Sequence, residues 1–453
     1  MAATGGASRD GPAPGSRSAA GGGARVTAAR VRVLPAAVFA GMAATVAAGL
    51  WLGRHEGREL GISNPPFVAR WAPDATLWAL LAAALLALVI WAAPRLLAPA
   101  VRPAAFAASV FGLTLALRLA LGAASVGPAG WSRPFDLDRF EGPNEYVPAL
   151  TALRYGPGFF LDRFAELVPA LPVHAAGHPP GLLLVMDAFA IDTPERLAAV
   201  CIAGGALIAP LAYALGRMLL EERDARIAGV LCATAPSVLL FGATSADALY
   251  AVLGLLAAIP LASRRLPVRI AGALALAAAS LFAWSLLAVG AWAALLAWRR
   301  DGLKDMLALG LLCGAVLVAF HAAFAALTGF DPIGTLRATE DVYRFGIASE
   351  RPYWFWLPGS PTAFLVMLGL PVAWLALRAL GAGDDAAVAI FTVIAIAAVA
   401  GFTKAEVERI WLFLVPFICV AAASALQERH LRAVLGLLAV HALAWELVWA
   451  TVW

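Results

Sequence analysis

A chain of 453 residues that is 62% hydrophobic and 14% charged, with a mean hydropathy of +0.83, is too apolar for a soluble globular protein. A net charge of +4 is small for this length, which argues against nucleic acid as a partner and fits charge placed in short membrane loops. The expected class is an all-α polytopic membrane protein.

Residues 1–32 are rich in Gly, Ala, Ser and Pro, carry Arg9, Arg17, Arg25 and Arg30, and lack an apolar face. They read as a disordered basic cytoplasmic tail ahead of one polytopic membrane domain, 33–453. No small-residue cleavage site follows the first apolar run, so that run is read as a retained span. Apolar runs of about twenty residues can cross the hydrocarbon core as helices. Candidate spans are 33–52, 75–93, 104–124, 196–216, 227–243, 248–263, 268–283, 284–298, 305–327, 361–380, 386–402, 410–426 and 433–452, about thirteen in all. Cys201, Cys232, Cys313 and Cys419 all lie inside apolar stretches with no CxxC, the pattern of buried structural thiols.

With the basic tail inside, six short connections bearing Arg or Lys, among them PRLLAPAVRP, GRMLLEERDAR and QERHLR, fall in the cytoplasm. The long, chemically mixed connections then fall outside: 53–74, the large loop 125–195, the corner at Ser245–Asp247, the loop 328–360 and the corner 402–409. This alternation requires that 179–191 not span; its thirteen residues would cover only about 20 Å as a helix. No inverted repeat is visible, and the polar residues collect on one side of the membrane, not at its midplane.

Four constellations carry chemistry. In the large loop Asp136, Asp138, Glu141 and Glu145 form an acidic cluster, from which one carboxylate could serve as general base; a solvated loop is the alternative. HAAGHPPG places His174 and His178 at a turn that two prolines keep from continuing as a helix, so a zinc pair at helical spacing is disfavoured. In TSADALY, Asp247 is either a site residue or the N-cap of the next helix. KAEVERIWLF offers Lys404, Glu406, Glu408 and Arg409, where an arginine fork suits a phosphate or Glu406 and Arg409 simply pair with each other. Tyr343, Tyr353, Trp354 and Trp356 in 328–360 read as interfacial anchors, with binding of a sugar face or an isoprenoid tail as the other reading.

The order of these pieces resembles the protein O-mannosyltransferase-like branch of the GT-C glycosyltransferases, whose relatives include the aminoarabinose transferases of lipid A. The matching run is NEYVPAL, GHPPGLLLVMDAF, TPERLAAV, YALGRML, ARIAGVLCATAPSVLLF and TSADALY, roughly 144–250. The C-terminal third matches only in plan, through EVERIW and the proline-bearing helix after it. The resemblance implies a GT-C type bundle with a large outer-face catalytic loop, in the cell membrane. It also implies transfer of a sugar from a polyprenyl-phosphate carrier to a glycan, lipid or protein acceptor, with inversion at the anomeric carbon.

Carried over by position, Glu145 and Asp247 are the implied catalytic carboxylates, with Asp138 or Asp136 as the alternative if either folds back into the site. His178 matches the family's HPP histidine and Arg409 is the residue chosen for the carrier phosphate; His174, Lys404, Glu406 and Tyr146 are further candidate ligands of substrate or carrier. Many relatives have Asp where this chain has Asn144, so the base is Glu145 or an upstream aspartate, or activity is lost. No metal ligand set is assigned, and a divalent cation stays open as cofactor. The rival readings are a transporter or flippase for lipid-linked glycans and a non-catalytic envelope-assembly protein.

Overall fold

The computed structural model describes residues 19–55 and 60–451, with side chains described from residue 31 except at 243 and 244. Among these, six helices are long and apolar enough to cross a membrane: Val31–His55, Trp78–Leu96, Pro103–Gly122, Pro194–Leu219, Leu303–Thr328 and Glu428–Val448. The only sheet among the described residues is a two-residue antiparallel pair, Arg70–Trp71 with Trp449–Ala450. The chain is an all-helical protein with the character of a multi-pass membrane protein.

Against about thirteen spans expected from hydropathy, six helices among the described residues, or eight if each bent pair is one span, have the length and composition of a crossing. The 227–243 run is a broken pair, Glu222–Thr234 and Pro236–Gly242, bent by 48° where Pro236 removes a helical N–H. The 361–380 run is a second broken pair, Tyr353–Leu368 and Leu370–Ala382, turned by 114° at Gly369, whose φ of +108° only glycine adopts easily. Asp247–Leu261, Leu266–Ala279 and Asp385–Ala400 are apolar but shorter than a full crossing. Within 410–426 the α-helix proper is Val415–Ala423, and every residue of it is buried. The last helix ends at Val448, short of residue 452, in the small strand.

The first helix is Ala19–His55, with Val31–His55 its apolar, membrane-length part, and residues 19–32 of the basic tail lie within it. Residues 1–18, the rest of that tail, lie outside the described residues.

Burial separates two kinds of helix. Leu303–Thr328 turns Leu311, Val318 and Leu327 outward, and Trp78–Leu96 does the same with Leu80, Leu88 and Trp91, as a lipid-facing surface requires. The helices Ile208–Leu219, Glu222–Thr234 and Val415–Ala423 pack against one another inside. Connections near 97–102, 220–221, 262–265, 302 and 383–384 gather at one end of the bundle, tied by Arg226 to the Ala98 and Val101 carbonyls and by Arg299 to Asp385.

At the other end lies the large loop. It holds no long helix, only short turns such as Gly142–Asn144, Val147–Tyr155, Pro157–Asp162 and Val173–Ala176, which bury Phe135, Phe160, Phe164 and Val168 in the main core. The segment expected not to span is there a helix of eight residues, Gly181–Ala188.

Candidate active site

The acidic stretch folds inward through a tight turn. Gly142 opens the 3-10 turn Gly142–Asn144 so close to the chain that an added Cβ would strike the Asp136 carbonyl. Glu141 and Glu145 flank that turn and both point to His174, on the one-turn helix Val173–Ala176. His174 Nε2 lies 2.5 Å from Glu141 Oε1 and 3.8 Å from Glu145 Oε1. Glu145 is 2% exposed, and its Oε2 has no hydrogen-bond partner. Burial raises the Glu145 pKa, with His174 and Arg409 opposing. Burial disfavours the charged form of His174, but Glu145 and Glu141 outweigh it and its pKa is raised.

The HPPG segment runs directly beneath. The helix at 173–176 stops before Gly177, and Gly181 donates its N–H to the Leu281 carbonyl at 2.7 Å, where a Cβ would collide. His178 is thereby set against Tyr250, ring centroids 4.8 Å apart, and Tyr146, at 6.2 Å. The two tyrosine hydroxyls share a hydrogen bond of 2.8 Å. Burial lowers the His178 pKa to about 4, so this imidazole is neutral at neutral pH, and its Nδ1 is unpartnered.

A chain of ion pairs completes the cluster. Arg409 Nη1 donates to Asp247 Oδ2 at 2.7 Å and Nη2 to Glu406 Oε2 at 3.1 Å. Arg351 then donates to Glu406 Oε1 at 2.6 Å and to the Lys404 carbonyl at 2.6 Å. Although burial opposes both charges, Arg409 and Arg351 hold the Glu406 carboxyl below its ordinary value, and Asp247 and Glu406 hold Arg409 charged. Ala405 and Glu406 both take positive φ, 62° and 58°, a strained backbone that these pairs pin in place. Next to them Glu408 is 2% exposed and accepts from the Val68 N–H at 3.1 Å; burial raises its carboxyl to about 7.

The structure thus gathers Glu145, Tyr146, His174, His178, Asp247, Glu406 and Arg409 from four distant stretches of chain. It leaves out three of the expected residues. Asp136 and Asp138 lie on the loop surface, where Asp136 Oδ1 accepts from the Asp138 N–H and a longer contact reaches Arg139. Neither enters the buried cluster, because the turn at Gly142 reverses the chain after them. Lys404 turns away to the carbonyls of Ala348 and Arg351, at 2.8 and 2.7 Å. Asp247 is not an N-cap: its own N–H bonds the Ser245 hydroxyl, while its carboxylate takes Ser245 Oγ and Arg409. Asn144 donates to the Phe140 carbonyl, outside the cluster.

Arg351, Tyr250 and Ser245 were not singled out by sequence as site residues. Arg351 had one readable signal, a charge set among the aromatic residues of 328–360. No protein-family model and no curated protein matches this chain.

Proposed function

We propose that this chain is a membrane glycosyltransferase of the GT-C type, moving a sugar from a polyprenyl-phosphate carrier to an acceptor at the outer face of the cell membrane. The observation that carries this reading is the convergence of Glu145, His178, Asp247 and Arg409, far apart in sequence, in one buried cluster at the loop-rich end of the bundle.

Glu145 is the general base. Its burial and raised pKa bring a carboxylate toward the proton affinity that suits a base at neutral pH, and Oε2 is unengaged. It takes the proton of the acceptor hydroxyl as that oxygen bonds to the anomeric carbon. The bond from that carbon to the phosphate oxygen breaks, and its electron pair leaves with the carrier phosphate. Attack from the face opposite the phosphate inverts the centre. Asp247 and Glu406 act through Arg409, fixing the guanidinium on the site side of the bundle. Neutral His178, backed by Tyr250, presents an unpartnered ring nitrogen that can hold a substrate hydroxyl.

The test is sugar transfer from a radiolabelled polyprenyl-phosphate sugar pool by the purified chain in lipid. Wild type is expected to transfer and Glu145→Gln to lose transfer by at least about a hundredfold while remaining folded, the lower bound for a general base. Transfer that survives Glu145→Gln overturns the assignment of the base. A wild type that transfers from no carrier overturns the reading.

A further inference from the structure

A second cavity lies between the strand pair Arg70–Trp71 and Trp449–Ala450 and the ends of the helices Pro103–Gly122 and Glu428–Val448. None of the residues of the buried cluster lines it. Its volume is about 210 Å3, below the roughly 300–1,000 Å3 of sites for drug-sized ligands and enough for one small ring. Arg70, Asp74, Arg133, Trp445, Glu446 and Trp449 stand around it.

These side chains offer unspent hydrogen-bonding groups of both kinds. The guanidiniums of Arg70 and Arg133, with five N–H donors each, make no hydrogen bond or ion pair among the described residues. Trp445 Nε1 is a buried donor with no partner, a state that protein interiors rarely leave unanswered. On the acceptor side, Glu446 Oε1 takes the Ser125 hydroxyl at 2.6 Å, and its second oxygen takes nothing among the described residues. Asp74 spends one oxygen on the Ala75 N–H at 2.8 Å. A phosphate only accepts, so it would meet Glu446 and Asp74 as like charges. An ammonium only donates, so it would meet Arg70 and Arg133 in the same way. Sugar hydroxyls both donate and accept, and a neutral polyol can therefore serve the whole set. Trp445 and Trp449, with centroids 5.9 Å apart and planes 31° from parallel, add apolar indole surface of the kind that suits the C–H face of a pyranose.

We propose that this cavity binds one neutral sugar residue, with Glu446 and Arg133 on its hydroxyls and Trp445 and Trp449 against its ring. Arg70 and Asp74 precede, and Trp445 to Trp449 follow, the stretch 144–250 in which the family resemblance lies, so the pocket is not carried over from it. One link ties it to the candidate active site: the segment whose Val68 N–H bonds Glu408, beside Arg409, reaches Arg70 two residues later. The binding of a sugar stands on the cavity alone. Its role rests on the glycosyltransferase reading, under which the bound residue belongs to the acceptor and the acceptor is a glycan.

The experiment is saturation-transfer NMR on the purified full chain, in a detergent whose head group is not a sugar. The probes are the methyl glycosides of glucose, galactose, mannose and N-acetylglucosamine, with inorganic phosphate run beside them. Saturable binding of at least one glycoside is expected. Glu446→Gln and Arg133→Ala should each weaken it by at least about tenfold, the loss that goes with one hydrogen bond to a charged group. Glu166→Gln, exposed on the large loop, should leave it unchanged. Arg133 is exposed, so Arg133→Ala tests the site even where Glu446→Gln fails to fold. No saturable glycoside, or binding indifferent to Arg133→Ala, overturns the site. Glycoside binding lost in Glu145→Gln but kept in the cavity variants puts the sugar in the candidate active site and overturns it too. Saturation by phosphate in place of any glycoside overturns the sugar class. Glycoside binding in a chain that transfers no sugar upholds the pocket and removes its role as acceptor site. Transfer that proceeds undiminished in Arg133→Ala, where glycoside binding is lost, upholds the reaction and removes that role.

Discussion

At the loop-rich end of the bundle Arg409 is 5% exposed and is shared between Asp247 and Glu406. At the opposite end Arg299 meets Asp385 at 3.0 Å with side chains 38% and 41% exposed, and Arg223 meets Glu428 at 3.1 Å in comparable exposure. Both ends obey the same rule of pairing opposite charges, yet the surroundings make them different objects. Water screens the pairs of the second end, so each is a local and replaceable contact. Arg226 is an exception there, as in part is Arg269 with Asp305: 2% exposed, Arg226 satisfies the carbonyls of Ala98 and Val101 and acts as a clamp on a turn. At the first end the charges are dry and interlocked, so the loss of one strands the others. Such a network is a poor device for stability and a good one for holding charged groups in fixed positions.

The sharpest way to break this comparison is to remove the shared cation. Arg409→Met leaves Asp247 and Glu406 buried without their common partner, and the expected loss is about 3–5 kcal/mol. Thermal unfolding in detergent reads it directly. A melting temperature no lower than that of Arg299→Ala would mean that the buried end is wetter than its burial implies.

Glu408 tests desolvation at the same end through pH. Its carboxyl rises from an ordinary 4.5 to about 7 in the folded chain, mainly through burial. Between those values the folded state holds a proton that the unfolded state has released, so stability falls as pH rises through this window and levels off above it. At 1.36 kcal/mol per unit the total is about 3 kcal/mol. Glu408→Gln keeps an acceptor for the Val68 N–H and removes the titration. Its melting temperature should change less than that of wild type between pH 5 and pH 8; parallel curves would sink the argument.

What the sequence disclosed follows the same division between apolar and charged chain. Helical class and most of the long spans were legible because lipid leaves few options for a backbone: an apolar run such as 305–327 becomes the helix Leu303–Thr328. The breaks at Pro236 and Gly369 were not, because a proline or glycine in a span bends or does not according to the neighbours that receive the freed groups. At the site, the residues that converge were legible as charges too expensive to place casually near a membrane, Asp247 and Arg409 above all. Their partnering was not. Nothing in residues 136–145 says that a turn at Gly142 sends Glu141 inward and leaves Asp136 and Asp138 on the surface. Val68 as partner to Glu408 lies 340 positions away, beyond any local pattern.

A third region, inside the spans, sharpens the contrast. Arg118 is fully buried in the helix Pro103–Gly122, donates to the Ile202 carbonyl at 3.1 Å, and packs its guanidinium against two glycines. A Cβ at Gly205 would sit 2.1 Å from Nη1, and one at Gly242 2.3 Å from Nη2. Gly205→Ala or Gly242→Ala should each cost about 1–3 kcal/mol by overpacking. The same glycine changes made in an Arg118→Met background should cost measurably less, a coupling that a double-mutant cycle reads. Independent effects would mean that the glycines are small for another reason.

The smallest effect belongs to the opposite end, and its smallness is the point. Arg299→Ala removes one exposed ion pair with Asp385 and a weak contact to the Gly383 carbonyl, 3.3 Å away. In water the pair gains little, because holding two long side chains in one geometry offsets most of the attraction. A loss of about 0–1 kcal/mol is expected, shrinking further as salt rises to 1 M, where the screening length is about 3 Å. Asp385 can be abandoned by its partner safely because solvent takes over at once, which is what Asp247 is denied. If Arg299→Ala instead lowers the melting temperature as far as Arg409→Met and salt does not matter, the far end is shielded too. The distinction between a screened end and a dry end would then fail at its easier half.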